Sequence, residues 1–277
     1  MSTKTMSVQP MAGCIGGLVT GVHLGGPLMT EELAGIKEAL LKYKVLFFHQ
    51  QDLSPQAHKA FASNYGPLEE HLVLPSLSDF PEIVVLDTDS HKPPVEEWHA
   101  DVTYDNCPPM GSVLHCTIAP SFGGDTLWAN MEAAYEDLSD GMQSLLSSMS
   151  AVHHVTQGYR HTLQHPETTN EQKKMLYDQP PAVHPVVRTH PETKRQGLFV
   201  NQLFTTHLSG VSERESRALL GFLFEHMSRP EFTCRFRWQQ NSVAFWDNRC
   251  TQHCPINDFF PKRRRMQRVV IKGDKPY

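Results

Sequence analysis

The sequence predicts a mainly β fold, a double-sheet jelly roll carrying helices on its outside. Three observations lead there. From residue 80 onward the chain is a succession of short runs rich in β-branched and aromatic residues, separated by turn residues. Helical periodicity occurs as interruptions of that succession. The runs do not alternate with helices in the strand–helix–strand rhythm of a parallel sheet, which favours a two-layer antiparallel arrangement.

Taken in order, "LMTEELAGIKEALLKYK" predicts a first helix, with Thr30 as its N-cap and Leu33, Ile36, Leu40 and Leu41 on one face. "KVLFFHQ" is short and wholly apolar, the pattern of a strand buried on both faces. In "SPQAHKAFASNYG", Ser54 caps a second helix, Pro55 occupies its first position and Gly66 ends it. Strands are then expected at "PEIVVLDT", "MGSVLHCTIA", "DTLWAN", "HPVVRTH", "GLFVN", "FTCRFRWQ", "SVAFWDN" and "RRMQRVVIKG". Two helical insertions interrupt them, near 130–180 and 211–228. The first contains "SDGMQSLLSSMS" and the second opens with a capping box from Ser212 to Glu215. With no repeat and no low-complexity linker, residues 1–277 are expected to form a single domain.

Composition narrows the function. The 277 residues carry 25 basic and 30 acidic side chains, a formal net charge of −5, which argues against a general nucleic-acid or membrane-surface role. No apolar run reaches the roughly 20 residues that span a bilayer, and "MSTKTMSVQP" lacks a secretory hydrophobic stretch, so a cytoplasmic location is expected. The six cysteines form no CxxC pair and are expected as free thiols.

In "EEWHADVTYD", His99 and Asp101 are two apart, so an extended backbone would turn both toward one ion. His253 in "FWDNRCTQHCPINDF" supplies a third donor. Two imidazoles and one carboxylate are the donor set of non-haem iron(II) oxygenases. Zinc hydrolases use it too, so the ligands alone leave the metal open. The strand "RRRMQRVVI" places Arg264 and Arg268 on one face, about 13 Å apart from the strand rise. Guanidinium groups inside a barrel need anions, because an unpaired buried charge is costly. Arg268 has an alternative partner in Asp247 or another carboxylate. His91, His115, His153 and His154 lack partner spacing and are expected to be structural or solvated, and Trp128 and Trp246 to be packing residues first.

Along essentially its whole length the chain resembles the iron(II)- and 2-oxoglutarate-dependent dioxygenases of the taurine dioxygenase (TauD/TfdA) family. The resemblance is carried by "WHADVTY", "GGDTLWAN", "LFVNQLFTT" and "WDNRCTQH" in that order, followed by an arginine eleven residues after His253. It implies a cupin-like double-stranded β-helix core and iron held by His99, Asp101 and His253. It also implies 2-oxoglutarate and O2 as co-substrates, with Thr126 and Arg264 holding the distal carboxylate of 2-oxoglutarate. By the same matching, His71, Arg268, Phe204 and Tyr159 would face the primary substrate. Homo-oligomers occur in the family, and the outer helices offer an interface for one.

Departures gather in the substrate pocket. Leu74 stands where the taurine enzymes carry a tyrosine three residues after the matching histidine, and Gly158-Tyr159 replaces a Ser-Phe pair. "PPVEEWH" replaces an Asn/Asp-rich run. The expected substrate is therefore a small anion, a sulfonate, sulfate ester or carboxylate, read differently from taurine at its far end, although Glu96 or Glu97 keeps taurine itself open. Two other classes stay in view: a zinc hydrolase on the same triad, and a jelly roll that binds a small ligand without catalysis.

Overall fold

The computed structural model describes residues 5–71, 74–88 and 95–277. An N-terminal hairpin, β1 (Ser7–Pro10) and β2 (Gly17–Thr20), precedes α1 (Thr30–Tyr43), β3 (Val45–Phe48) and α2 (Pro55–Ser63). Short β4 (Leu68–Glu69) and β5 (Ser76–Leu77) lead to β6 (Phe80–Thr88), β7 (Gly111–Ile118) and β8 (Thr126–Asn130). The first insertion holds α3 (Met131–Glu136), α4 (Asp140–Ser147), β9 (Ser150–His153), α5 (Val155–Gly158), α6 (Arg160–Gln164) and α7 (Asn170–Tyr177). After β10 (Ala182–Pro185), β11 (Val187–Thr189), β12 (Gln196–Leu198) and β13 (Thr205–Leu208) comes α8 (Glu213–Met227). β14 (Thr233–Phe236), β15 (Val243–Asp247), β16 (Thr251–Pro255) and β17 (Arg264–Ile271) complete the chain.

Two sheets make the jelly roll. The larger runs β1-β2-β3-β15-β7-β17-β6-β5, with β4 also on β17; the smaller runs β14-β8-β16. Between them lies a core of Val45, Phe47, Leu114, Trp128, Phe236, Trp238, Trp246 and Met266. The opposite face of the larger sheet packs Leu46, Phe48, Val113 and Phe245 against Ile36, Leu40 and Phe61 of α1 and α2. β3 thus sends alternate side chains into two cores, which is why "VLFF" is apolar at every position.

Three expectations need correction. Thr30 is the first residue of α1, not its cap; the chain is extended at Met29, whose amide donates to Glu32 Oε2 at 2.8 Å. Strand–helix–strand order is not absent: β2 and β3 pair in parallel, Gly17 opposite Leu46, across α1. The cause is that α1 buries Ile36, Ala39 and Leu40 in the core that also takes Leu46 and Phe48, so the helix must cross that face. The first insertion is not purely helical, since it contains β9, which pairs with β10 and β13 beyond it. The Ser54 and Ser212 caps occur as expected, and all six cysteines are free. Among the described residues no helix is long and apolar enough to cross a membrane.

Candidate active site

His99 and His253 face each other across the mouth of the smaller sheet. Their backbones form an antiparallel bridge, His99 N–H to His253 O at 3.0 Å and His253 N–H to His99 O at 2.8 Å. β16 itself pairs with β8, placing His253 opposite Trp128. The two imidazole centroids lie 4.1 Å apart, and one donor atom from each of His99, Asp101 and His253 falls within 4.8 Å of the others. The three sequence candidates are therefore brought together.

Each donor is held from behind. His99 Nδ1 donates to Glu97 O at 2.9 Å, which leaves Nε2 as the lone-pair nitrogen. Asp101 is gripped through its backbone by Asn248, whose Oδ1 accepts from Asp101 N at 2.8 Å and whose Nδ2 donates to Asp101 O at 3.0 Å. Ser112 Oγ donates to Asp101 Oδ2 at 3.2 Å. The turn after Asp101 puts Val102 at φ 53, a left-handed conformation that costs a β-branched residue on the order of 1–3 kcal/mol. His253 packs against the rings of Trp128 and Trp246, at 6.2 and 5.0 Å, as expected of the two tryptophans.

The electrostatics suit a cation. Burial lowers the pKa of both His99 and His253, so both imidazoles are neutral and able to coordinate. Burial opposes ionisation of Asp101, but Arg268, then His253 and His99, bring its carboxyl down to about 2. His253 Nδ1 is buried with no hydrogen-bond partner among the described residues. Two neutral nitrogens and an ionised carboxylate fit a divalent transition metal.

Beyond the triad, Gly123 and Gly124, both at positive φ, bend the chain into β8. A Cβ at Gly123 would lie 2.4 Å from Asp258 Oδ1, and one at Gly124 would lie 2.9 Å from Pro120. The bend delivers Thr126, whose Oγ1 accepts from Trp238 Nε1 at 2.9 Å and lies 3.5 Å from Arg264 Nη2. Among the described residues Arg264 has its Nε buried without a partner and makes no ion pair with a carboxylate. Burial lowers its pKa to about 10. The guanidinium lies beside the rings of Trp238 and Phe259, 5.7 and 5.9 Å from their centroids. A half-buried cation next to a hydroxyl is a receptor for a carboxylate.

Arg268, expected to face the substrate, donates from Nη1 to Asp101 Oδ1 at 2.7 Å; its carboxylate partner is Asp101, not Asp247. His71 Nδ1 accepts from the amide of Leu74 at 3.0 Å, and His71 Nε2 lies 3.3 Å from Tyr159 Oη. Leu74 thus enters the site through its backbone. Phe204 meets His99 edge-on at 6.4 Å and Tyr104 at 5.0 Å. Gly158 lets α5 lie against that ring, since a Cβ there would be 2.3 Å from Phe204 Cε1. Next to these residues a cavity of about 210 Å³ is lined by Glu69, Glu70, His71, Val102, Tyr104, Asp105, Gln179 and Val270.

Asn248, Ser112, Trp238 and Tyr104 had not been singled out. Asn248 and Tyr104 sit inside quoted motifs, so a signal existed for them. Ser112 and Trp238 carry none, because only the pairing of distant strands brings them in. His153 and His184 are structural, tied to Thr103, while His91 lies outside the described residues.

This fold, this donor set and an arginine beside Thr126 suit a class, the dioxygenases that use a 2-oxo acid. Residues 7–270 match the family model for the taurine catabolism dioxygenase TauD, TfdA family, and the chain belongs to that family. It is 36% identical to an alkylsulfatase of Acinetobacter baylyi, across 98% of this chain and 86% of that protein. It is 33% identical to an alpha-ketoglutarate-dependent sulfate ester dioxygenase of Pseudomonas putida, across 98% and 91%. The structure superimposes on that of a taurine dioxygenase from Burkholderia xenovorans with a TM-score of 0.85 and 36% identity, covering 98% and 90% of the two chains. The chain is a 2-oxoglutarate-dependent dioxygenase.

Proposed function

We propose that this enzyme holds iron(II) on His99, Asp101 and His253 and oxidises a C–H bond of a small anionic substrate, a sulfate ester, sulfonate or carboxylate. Succinate and CO2 are released from 2-oxoglutarate. The observation that carries the reading is Arg264, a half-buried arginine whose Nε is buried and which has no described carboxylate partner; it lies beside the Thr126 hydroxyl, on the strand that also carries the triad's neighbour Arg268. A zinc hydrolase or a simple binding protein has no use for such a second anion receptor.

When bound, the metal supplies oxygen activation; the protein's task is to place two anions and one C–H bond around it. Thr126 Oγ1 accepts from Trp238 and faces Arg264, which leaves its own proton as a donor for the distal carboxylate of 2-oxoglutarate. Arg268 holds Asp101 ionised; with a metal ion held by the triad, its guanidinium would be available to the anionic head of the substrate. His71 stands on the same side. The similarity to sulfate ester enzymes supports a sulfate ester as the first substrate to try. Oxidation at the carbon bearing the ester oxygen would fragment the product to an aldehyde and sulfate. The net charge of −5 supports a small-molecule role, with neither nucleic acid nor membrane as partner, and we place the enzyme in the cytoplasm.

The test is an anaerobic visible titration of apoprotein with iron(II) and 2-oxoglutarate. A charge-transfer band that needs both components and disappears in His99→Ala is expected, and Arg264→Met should weaken 2-oxoglutarate binding roughly 10- to 100-fold while iron still binds. A panel of sulfate esters, sulfonates and carboxylates then identifies the substrate by a shift of the band and by succinate release. Absence of any band, with turnover that ignores O2, would favour the zinc hydrolase.

A further inference from the structure

The three-stranded sheet β10-β9-β13 stands behind the turn that carries Asp101, and one of its faces mixes small and polar residues. Register sets Ala182 and Thr205 opposite His153, and His184 opposite Ala151, so these five side chains share that face. His153, His184 and Thr205 are only 0, 1 and 2% exposed. Polar groups buried so deeply need partners. The two histidines find theirs in one place, the turn at 101–105.

His184 Nε2 lies 2.9 Å from Thr103 O and 3.0 Å from Asp105 O. Both partners are carbonyl oxygens, so Nε2 carries the proton and shares it between them. His153 Nδ1 lies 3.0 Å from Thr103 Oγ1, which also accepts from Asn201 Nδ2 at 2.9 Å. Thr205, from the third strand, steadies that group, its Oγ1 accepting from the amide of Asn201 at 2.9 Å.

Within five residues the gripped turn brings Asp101 to the triad and Val102, Tyr104 and Asp105 to the wall of the cavity. Its backbone is strained at Val102 and keeps its shape only under restraint. Asn248 restrains the near end, through the amide and carbonyl of Asp101. The turn supplies one bond of its own, Asp105 N–H to Val102 O at 3.0 Å. The carbonyls of the far half, Thr103 and Asp105, go to His184.

We infer that His184 is a positioning residue of the metal site: together with His153 it holds the turn that presents Asp101 to the metal and Tyr104 to the substrate cavity. The small sheet then serves the site as well as the fold, which gives a task to the strand that interrupts the first helical insertion. A loosened turn leaves the three donors present but misaligned, so a bound metal is held more weakly and in a different geometry. The inference rests on the assignment of His99, Asp101 and His253 as metal ligands.

The experiment titrates apoprotein with cobalt(II) alone and follows its visible absorption, which reports coordination geometry as well as occupancy. Wild type, His184→Leu, His184→Gln and His226→Leu are compared, each shown to be folded by circular dichroism. His184→Leu removes the donor and should weaken cobalt binding roughly tenfold and change the shape of the band. His184→Gln, whose amide N–H replaces Nε2–H, should restore both. His226→Leu controls for stability, because His226 is also buried, bonds to Ala134 O at 2.7 Å and does not touch the turn; it should bind cobalt as wild type does. Unchanged binding in His184→Leu, no rescue by glutamine, or an equal loss in His226→Leu overturns the inference and leaves the metal site standing. If His184→Leu does not fold, Thr103→Val takes its place, removing the hydroxyl held by His153 and Asn201; wild-type affinity and band shape there overturn the inference equally. No cobalt band in wild type overturns the assignment of the ligands, and the inference with it.

Discussion

Two clusters in this molecule offer a metal the same kind of donors at the same spacing. His99, Asp101 and His253 are one; His190, Asp247 and Cys250 are the other, also with donor atoms within 4.8 Å. Their carboxylates tell them apart. Asp247 accepts four hydrogen bonds: from Arg249 N at 3.0 Å, Arg249 Nε at 2.8 Å, Arg249 Nη2 at 2.7 Å and His190 Nε2 at 3.0 Å. That uses a carboxylate's roughly four lone-pair sites. Asp101 accepts two such bonds, from Ser112 and Arg268. His190 is committed as well, its Nδ1 accepting from the amides of Glu192 and Thr193, and burial drives the Cys250 thiol well above its ordinary pKa, so it stays protonated. Proximity makes both clusters candidates, and the count of unfilled lone pairs leaves one.

The sharpest way to break this contrast is to neutralise each aspartate. Asp101→Asn should lower turnover by ~10³ or more, because members of a catalytic unit fail together, and should remove bound iron. Asp247→Asn should keep one iron per chain, measured by metal analysis, but lose about 2 kcal/mol of stability, because buried Arg249 gives up its charged hydrogen bonds to Asp247 and keeps only the half-buried Glu192 as counter-charge. Loss of iron in Asp247→Asn with an unchanged melting temperature would reverse the two assignments.

A smaller effect separates neighbours in the chain. Asp247 belongs to the saturated cluster, yet Asn248 beside it turns the other way and clamps the backbone of Asp101. Asn248→Ala should therefore weaken iron affinity about 10- to 100-fold, the usual cost of losing a group that orients a ligand, and lower stability by about 1–3 kcal/mol, because the Asp101 amide and carbonyl lose their partner. A variant with unaltered iron affinity would mean that Ser112 and the Val102 turn suffice to hold Asp101.

What could be read from the sequence follows from how local each feature is. The strand "VLFF", the Ser54 and Ser212 caps and the His99–Asp101 pair are settled within a few residues, and the structure places them accordingly. Short strands such as Ser150–His153 and Thr251–Pro255 were not visible, because four or five residues with one polar neighbour carry no period; pairing partners create them. The same holds for the site. The resemblance gave the triad, Thr126 and Arg264, but the hold of Arg268 on Asp101, the Trp238 bond to Thr126 and the contact of Tyr159 with His71 each join residues that are far apart in sequence. A saturated Asp247 and an available Asp101 look alike as letters.

The two clusters also predict where acid acts on stability. Asp101 and Asp247 both have depressed pKa values, so both stay ionised at pH 5, and loss of stability between pH 7 and 5 must come from other groups. Buried histidines supply it. His58, whose Nε2 bonds to Val113 O, and His153, bonded to Thr103, are held near pKa 3 against an ordinary 6.5, burial being the larger cause in each. Below pH 6.5 the unfolded chain takes up protons that the folded chain refuses. Stability therefore falls as pH drops through 6.5 and goes on falling toward pH 3, by roughly 2 kcal/mol per histidine at pH 5. His58→Gln keeps a donor toward Val113 O and cannot titrate. Its stability, from denaturant unfolding at pH 7 and 5, should fall less steeply than the wild type's, by about one proton's worth of slope. An unchanged slope would mean that His58 already takes up its proton in the folded state.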